Sequence, residues 1–145
     1  MKQVELTSKT IYGLTVRTTN EKEMNPETAQ IGALWGGFFE KIMPGVPQGT
    51  LGYGVYSNYE SDALGAFDVL AGTEVALPEL ESVTLQAGKY LCFEAKGELP
   101  QAVIETWGEI WGYFTAADCP HKRVFATDFE CYLSESEAEI YIGVV

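Results

Sequence analysis

Asp128-Phe129-Glu130-Cys131-Tyr132 is the stretch of this chain whose residue types and spacing could do chemistry. Read as a strand, it sends Asp128, Glu130 and Tyr132 to one face and Phe129 and Cys131 to the other, because strand side chains alternate. Gly52-Tyr53-Gly54-Val55-Tyr56 has a similar aromatic, glycine-spaced character. With matching register, Gly54 and Tyr56 join the face of Glu130. A carboxylate among tyrosine rings, with a glycine gap beside it, suits an organic cation. Each ring face attracts positive charge by roughly 0.5–2 kcal/mol, and the carboxylate neutralises the rest. Buried without a cation, Glu130 is costly and is expected to have a raised pKa. The same residues could instead serve a hydrolase of small activated esters. Glu130 would then act as general base on water, and Tyr56 or Tyr132 would donate to the developing oxyanion. The plain alternative is a solvent-facing strand glutamate.

Other reactive residue types do not assemble into a site. Cys92, Cys119 and Cys131 are odd in number and lack paired spacing, which argues against a disulfide scaffold. His121 is the single histidine and sits in Asp118-Cys119-Pro120-His121-Lys122-Arg123, which reads as a polar loop. No CxxC and no second histidine completes a zinc set, so no metal is expected. Any Ser/His or Cys/His nucleophile system would have to use His121. Neither GxGxxG nor a Walker-type loop is present, and no cofactor is expected.

The elements that must position Glu130 follow from periodicity. Thr10–Val16 reads as strand. Asn25 and Pro26 read as the N-cap and first residue of a helix. Its apolar face is Ile31, Leu34, Trp35, Phe38 and Ile42, and Pro44, Gly45 and Pro47 end it. Leu51–Tyr59 and Ala66–Val75 read as strands, with a turn at Glu60-Ser61-Asp62 between them. After the link 77–82 the pattern restarts. Val83–Ala95 reads as strand broken at Ala87-Gly88. Pro100 opens a helix with Val103, Ile104, Trp107, Ile110, Trp111 and Phe114 on one face. Val124–Leu133 and Glu139–Val145 read as the last strands.

Both halves therefore run strand, helix, strand, strand. Trp35-Gly36 aligns with Trp107-Gly108, Gly54-Val55-Tyr56 with Glu130-Cys131-Tyr132, and Tyr12 with Tyr90. Residues 1–145 are read as one domain with pseudo-repeats 1–76 and 83–145. The expected fold class is α+β: duplicated βαββ units in one curved antiparallel sheet, with two helices and a central cleft. Gly36, Gly37, Gly108 and Gly112 lie inside the helices. Each costs about 1 kcal/mol relative to alanine, so close packing or room beside an indole is expected there.

Composition limits the partners. Lys and Arg number 9 against 21 Asp and Glu, a formal net charge of −12 in 145 residues. Such a surface repels phosphate backbones, which bind through Lys and Arg. Direct nucleic-acid binding and anionic membranes are disfavoured, and cationic ligands are favoured. No apolar run approaches the roughly 20 residues of a membrane span. The N-terminus lacks the apolar core of a secretory signal, and a cytoplasmic location is expected.

Three segments together resemble a known family: Trp107-Gly108-Glu109-Ile110-Trp111, Asp128-Phe129-Glu130-Cys131-Tyr132, and the ending Ala138-Glu139-Ile140-Tyr141-Ile142-Gly143-Val144-Val145. The chain is similar to the GyrI-like small-molecule-binding family, the effector-binding domain of AraC- and MerR-type multidrug regulators. It looks closest to the free-standing, integron-cassette-associated branch. Gly52-Tyr53-Gly54-Val55-Tyr56 and Phe67-Asp68-Val69-Leu70-Ala71-Gly72 extend the likeness to the first half. The resemblance implies the duplicated βαββ fold and a cleft for hydrophobic, often cationic compounds, with a strand glutamate at its base. Glu130 matches that glutamate through the Phe-Glu-x-Tyr pattern, and Trp107 resembles the helix tryptophan beside the cleft. Two departures stand out. There is no room for the helix-turn-helix domain that precedes many relatives, and Gly143 stands where a proline is common.

The expected function is a stand-alone binding module for hydrophobic, cationic small molecules. The expected ligand-binding residues are Glu130, Trp107, Tyr56, Tyr132, Trp35, Trp111 and Tyr90. Besides the hydrolase, an acidic protein-interaction modulator that presents its surface in place of DNA is a further alternative. A transcriptional effect would need a regulator protein as partner. The apolar ending Gly143–Val145 either pairs across a homodimer edge or forms an inner strand.

Overall fold

Alternating apolar residues in the β-branched and aromatic runs build eight strands, and the two amphipathic stretches build helices. The computed structural model describes residues 1–145. In chain order the elements are β1 (Lys2–Leu6), β2 (Lys9–Thr18), α1 (Asn20–Met24), α2 (Ile31–Lys41), β3 (Gly52–Ser57) and β4 (Phe67–Thr73). The second half contains β5 (Glu81–Leu85), β6 (Gly88–Lys96), α3 (Gln101–Thr115), β7 (Thr127–Tyr132) and β8 (Glu137–Gly143). A short 3-10 turn, Met43–Gly45, follows α2.

All strands join one antiparallel sheet in the order β1-β6-β8-β7-β3-β4-β2-β5. This order reads the same backwards when each strand of one half is exchanged for its counterpart in the other. Two strands precede the helix in each half: β1 comes ahead of the expected Thr10–Val16 strand, and the expected break at Ala87-Gly88 parts Val83–Ala95 into β5 and β6. The first strand of each half crosses over: β1 pairs with β6, and β5 pairs with β2. Gly88, at φ 145°, lies in the conformation that favours glycine where the chain passes from β5 to β6. The β3·β7 pair stands at the centre, with Gly54 directly opposite Glu130. The terminal strand β8 lies between β6 and β7. The ending is thus an inner strand, and the sheet edges are β1 and β5.

One face of the sheet buries Tyr53, Val55, Phe129 and Cys131 of the central strands. Ile11, Leu85 and Tyr90 from opposite ends of the sheet join them, with Val4 and Leu6 alongside. The two ends can share a core because the sheet curls. On the other face the helices cover two separate patches. Leu34, Phe38 and Ile42 pack on Phe67, Val69 and Ala71 of β4. Ala102, Val103 and Ile110 pack on β6 and β8, including Phe93, Ile140 and Ile142. Phe38 and Ile110 are fully buried. Each such side chain contributes about 1.5–3 kcal/mol by leaving water. Between the patches, β3 presents Gly52 and Gly54, and β7 presents two carboxylates. No aliphatic layer seals the centre, and a cleft forms there.

Two local expectations are corrected. Asn25 does not cap the long helix; it ends α1, and Thr28 and Ala29 donate backbone N–H to its carbonyl. The Pro26 segment makes only a turn. Thr19 is the side-chain cap of α1, accepting from the Lys22 N–H at 3.1 Å. Helix α2 starts at Ile31, where the Glu23 carboxylate accepts the N–H groups of Gln30 and Ile31. A negative charge at those amides also meets the positive end of the helix dipole. The helix glycines do not share one packing reason. A Cβ at Gly37 would lie 3.3 Å from Leu14, but Cβ atoms at Gly36, Gly108 and Gly112 would meet open space.

Candidate functional site

Strand alternation aims Glu130 at the helix face, and its pairing with Gly54 leaves space for the carboxylate. Glu130 is 2% exposed. Its Oε2 accepts from Trp107 Nε1–H at 2.7 Å and from the Tyr56 hydroxyl at 2.8 Å. Its Oε1 accepts from the Tyr132 hydroxyl at 2.8 Å. All three donors are neutral, and no lysine or arginine pairs with this carboxylate. Burial pushes the Glu130 pKa up, opposed by the hydrogen bonds from Trp107, Tyr132 and Tyr56. Tyr56 and Tyr132 are driven well above the usual phenol range, first by burial and then by the adjacent Glu130 charge. A Cβ at position 54 would lie 2.7 Å from Glu130 Oε1 and 3.1 Å from the Trp35 ring. Gly54 is therefore required by the carboxylate's position.

A cleft of about 380 Å³ opens above this cluster, between α1, the segment after β3 and the exposed side of α3. Tyr56 and Trp107 line it, with ring centroids 5.3 Å apart at 70°. Both bond the carboxylate behind them. Tyr59, Phe67, Ile104 and Trp111 add apolar wall. Trp111 is 36% and Ile104 59% exposed, so these two members of the helical stripe face the cleft rather than the core. A hollow of about 560 Å³ near Asn58 and Asp68 is wider, but no aromatic ring lines it.

A second buried carboxylate lies two residues before Glu130. Asp128 is wholly buried. It accepts from the Tyr59 hydroxyl at 2.5 Å, Arg123 Nη2 at 2.7 Å and the Gly143 N–H at 2.8 Å. A proline at 143 would lack that N–H. The Arg123 side chain is 7% exposed and lies over the Phe125 ring, 4.4 Å from its centroid. It forms part of the cleft wall, as does Glu23.

The structure brings together Glu130, Trp107, Tyr56 and Tyr132 in one hydrogen-bonded group. Trp35 lies edge-on to Tyr132 at 5.0 Å and does not line the cleft. Trp111 lines the cleft. Tyr90 does not belong to it: it is buried on the opposite sheet face, 5.7 Å from the Phe129 ring, with its hydroxyl 2.8 Å from Thr127. Its β6 position alternates away from the helices, whereas Leu91 and Phe93 face them. Tyr59, Phe67, Arg123 and Glu23 were missed by sequence reasoning. Asp128 carried a usable signal, since a carboxylate sharing the face of Glu130 needs a cation or donors once buried.

Chemically, the group places a buried carboxyl beneath aromatic faces. Its oxygens already carry three donors. Oε1 accepts only one of them and keeps a site for water, but either tyrosine would have to leave Glu130 to reach an oxyanion.

Residues 3–144 match the family described as Cass2, integron-associated effector binding protein. The chain is 32% identical over 152 residues to "Putative transcriptional regulator protein YobU" of Bacillus subtilis (strain 168), covering 94% of this chain and 92% of that protein. It superposes on the integron cassette protein VCH_CASS2, from the mobile metagenome of Vibrio cholerae, with a TM-score of 0.94 and 44% identity. That match covers 99% of this chain and 95% of the other. The structure of SAV2435 bound to tetraphenylphosphonium shares the fold, with a TM-score of 0.75 and 22% identity over 99% and 93% of the two chains. No helix is long and apolar enough to cross a membrane. The chain belongs to the integron-associated effector-binding family.

Proposed function

We propose that the protein is a binding module for hydrophobic organic cations, held in the cleft between α1 and α3. The observation that carries this reading is Glu130: 2% exposed, bonded by three neutral donors, and without a protein cation. The cation sits on the ring faces of Tyr56 and Trp107, not on the carboxylate itself. Hydrogen bonding to a carboxylate raises electron density in a phenol or indole ring, which strengthens its attraction for positive charge. The carboxylate supplies longer-range attraction through a poorly solvated shell. Two unit charges roughly 6 Å apart at an effective dielectric of 20 attract by about 3 kcal/mol. Apolar walls bury the ligand's hydrocarbon. SAV2435, a protein of the same fold, takes tetraphenylphosphonium, a ligand of this kind.

The test uses two ions of one shape. Tetraphenylphosphonium and tetraphenylborate differ in the sign of their charge. Titration followed by tryptophan fluorescence should show saturable binding of the phosphonium and much weaker binding of the borate. Equal affinities, or no binding of either, would refute the reading.

A further inference from the structure

Arg123 is the one cation in the cleft wall, and its hydrogen bonding is incomplete. Only Nη2 has a protein partner, Asp128. Its Nε is buried with no partner, while Nη1 has no protein partner but is not buried and is the donor a ligand can reach. Guanidinium carries five N–H donors, and an unmade bond at a buried donor is costly. The side chain cannot swing freely to find a partner, because Asp128 holds one end and the Phe125 ring lies against its face. Resting on the cation-binding reading above, we propose that Arg123 is a second recognition pole of the cleft, donating hydrogen bonds to the ligand. The ligand that fits is an organic monocation that also carries an uncharged oxygen acceptor, such as an ester or amide carbonyl.

Charge counting selects an uncharged acceptor. Asp128 neutralises Arg123. Glu23 is held by the Gln30 and Ile31 amides and the Thr18 hydroxyl, at the positive end of α2. Glu130 is left as the one carboxylate of the group with neither a protein cation nor a helix N-terminus against it, and a monocation balances it. A ligand carboxylate on Arg123 would restore a net negative charge beside Asp128 and Glu130. A carbonyl accepts from Nη1 without adding charge. A pure hydrocarbon cation makes no such bond.

Three xanthylium dyes with one cationic core test this. Tetramethylrosamine has a bare pendant phenyl, the methyl ester of tetramethylrhodamine adds a neutral carbonyl, and tetramethylrhodamine itself adds a carboxylate. Fluorescence anisotropy should rank the ester tightest, by about tenfold over the rosamine, with the carboxylate dye weaker than the ester. Arg123→Lys keeps a cation for Asp128 but withdraws the planar fork of donors. It should shrink the ester-to-rosamine ratio to about twofold or less. If the lysine variant folds poorly, Arg123→Met combined with Asp128→Asn removes both buried charges together and should shrink the ratio equally. Equal binding of ester and rosamine by the wild type overturns the proposal, as does a ratio that survives these substitutions. If the dyes bind without discrimination, only the Arg123 proposal fails. If none binds, the cation-binding reading fails with it.

Discussion

Glu130→Gln removes one charge while keeping the shape of the group that Tyr56, Trp107 and Tyr132 surround. The amide oxygen can take the place of Oε2, which accepts two donors at 2.8 and 2.7 Å. The amide nitrogen then faces the Tyr132 hydroxyl, which rotates from donor to acceptor. Three charge-assisted hydrogen bonds become neutral ones, which weakens each. The cost of keeping a carboxylate 2% exposed is removed at the same time. These changes oppose each other, and folding stability should move by no more than about 1 kcal/mol. Ligand binding has no such compensation. Losing roughly 1.4–3 kcal/mol of attraction weakens tetraphenylphosphonium about 10- to 100-fold. Tetraphenylborate should bind the variant no worse than the wild type. Urea unfolding and tryptophan-quenching titrations on one preparation separate the two effects. Unchanged phosphonium affinity in a folded Glu130→Gln protein would show that the cleft is a hydrophobic trap, and the electrostatic reasoning would be wrong.

The same carboxylate sets a pH dependence. Its raised pKa in the folded state means the stability tied to Glu130 is greatest below the ordinary carboxylate range and is lost as pH rises through the folded pKa. Phosphonium affinity runs the other way, falling as pH drops through that pKa, while Glu130→Gln should be flat; parallel wild-type and variant profiles would contradict this. Gly54→Ala places a Cβ 2.7 Å from Oε1 and should cost about 1–3 kcal/mol in urea unfolding, together with weaker cation binding. Wild-type stability and affinity there would mean the carboxylate can shift without loss. Trp107→Ala removes ring area as well as a donor and should weaken phosphonium and uncharged aromatic ligands alike, unlike Glu130→Gln; isothermal titration with both ligand types decides it. Gly108→Ala fills open space on a helix and should raise stability by up to about 1 kcal/mol, read as a higher urea midpoint.

Short-range periodicity decided much of this molecule. Two-residue alternation was enough to put Asp128, Glu130 and Tyr132 on one face, because a strand offers only two faces. Helical spacing marked Leu34, Phe38, Val103 and Ile110 as the buried stripe, and the aligned Trp-Gly and Gly-Val-Tyr segments pointed to paired halves. Periodicity could not tell what covers a face. Ile104 and Trp111 belong to the same apolar stripe as Ile110, yet they line a cleft, since stripe width says nothing about where the opposing surface ends.

Only the tertiary structure decided which strands meet. The exchange of β1 and β5 between halves depends on long-range pairing that leaves no mark in neighbouring residues. Alignment of Tyr90 with Tyr12 carried no information on its face, and β6 turns it away from Glu130. The start of α2 depended on Glu23, a side chain from another helix, rather than on a local cap. Arg123 and Tyr59 reach the site from irregular segments, whose direction has no period to read. Their partner Asp128 lies far in sequence from Tyr59, and that contact exists only because β3 and β7 pair at the centre of the sheet. Residue types and alternation thus selected a buried carboxylate with rings around it. The folded chain alone decided that neutral donors hold it, and that an arginine with spare N–H groups stands in the cleft wall.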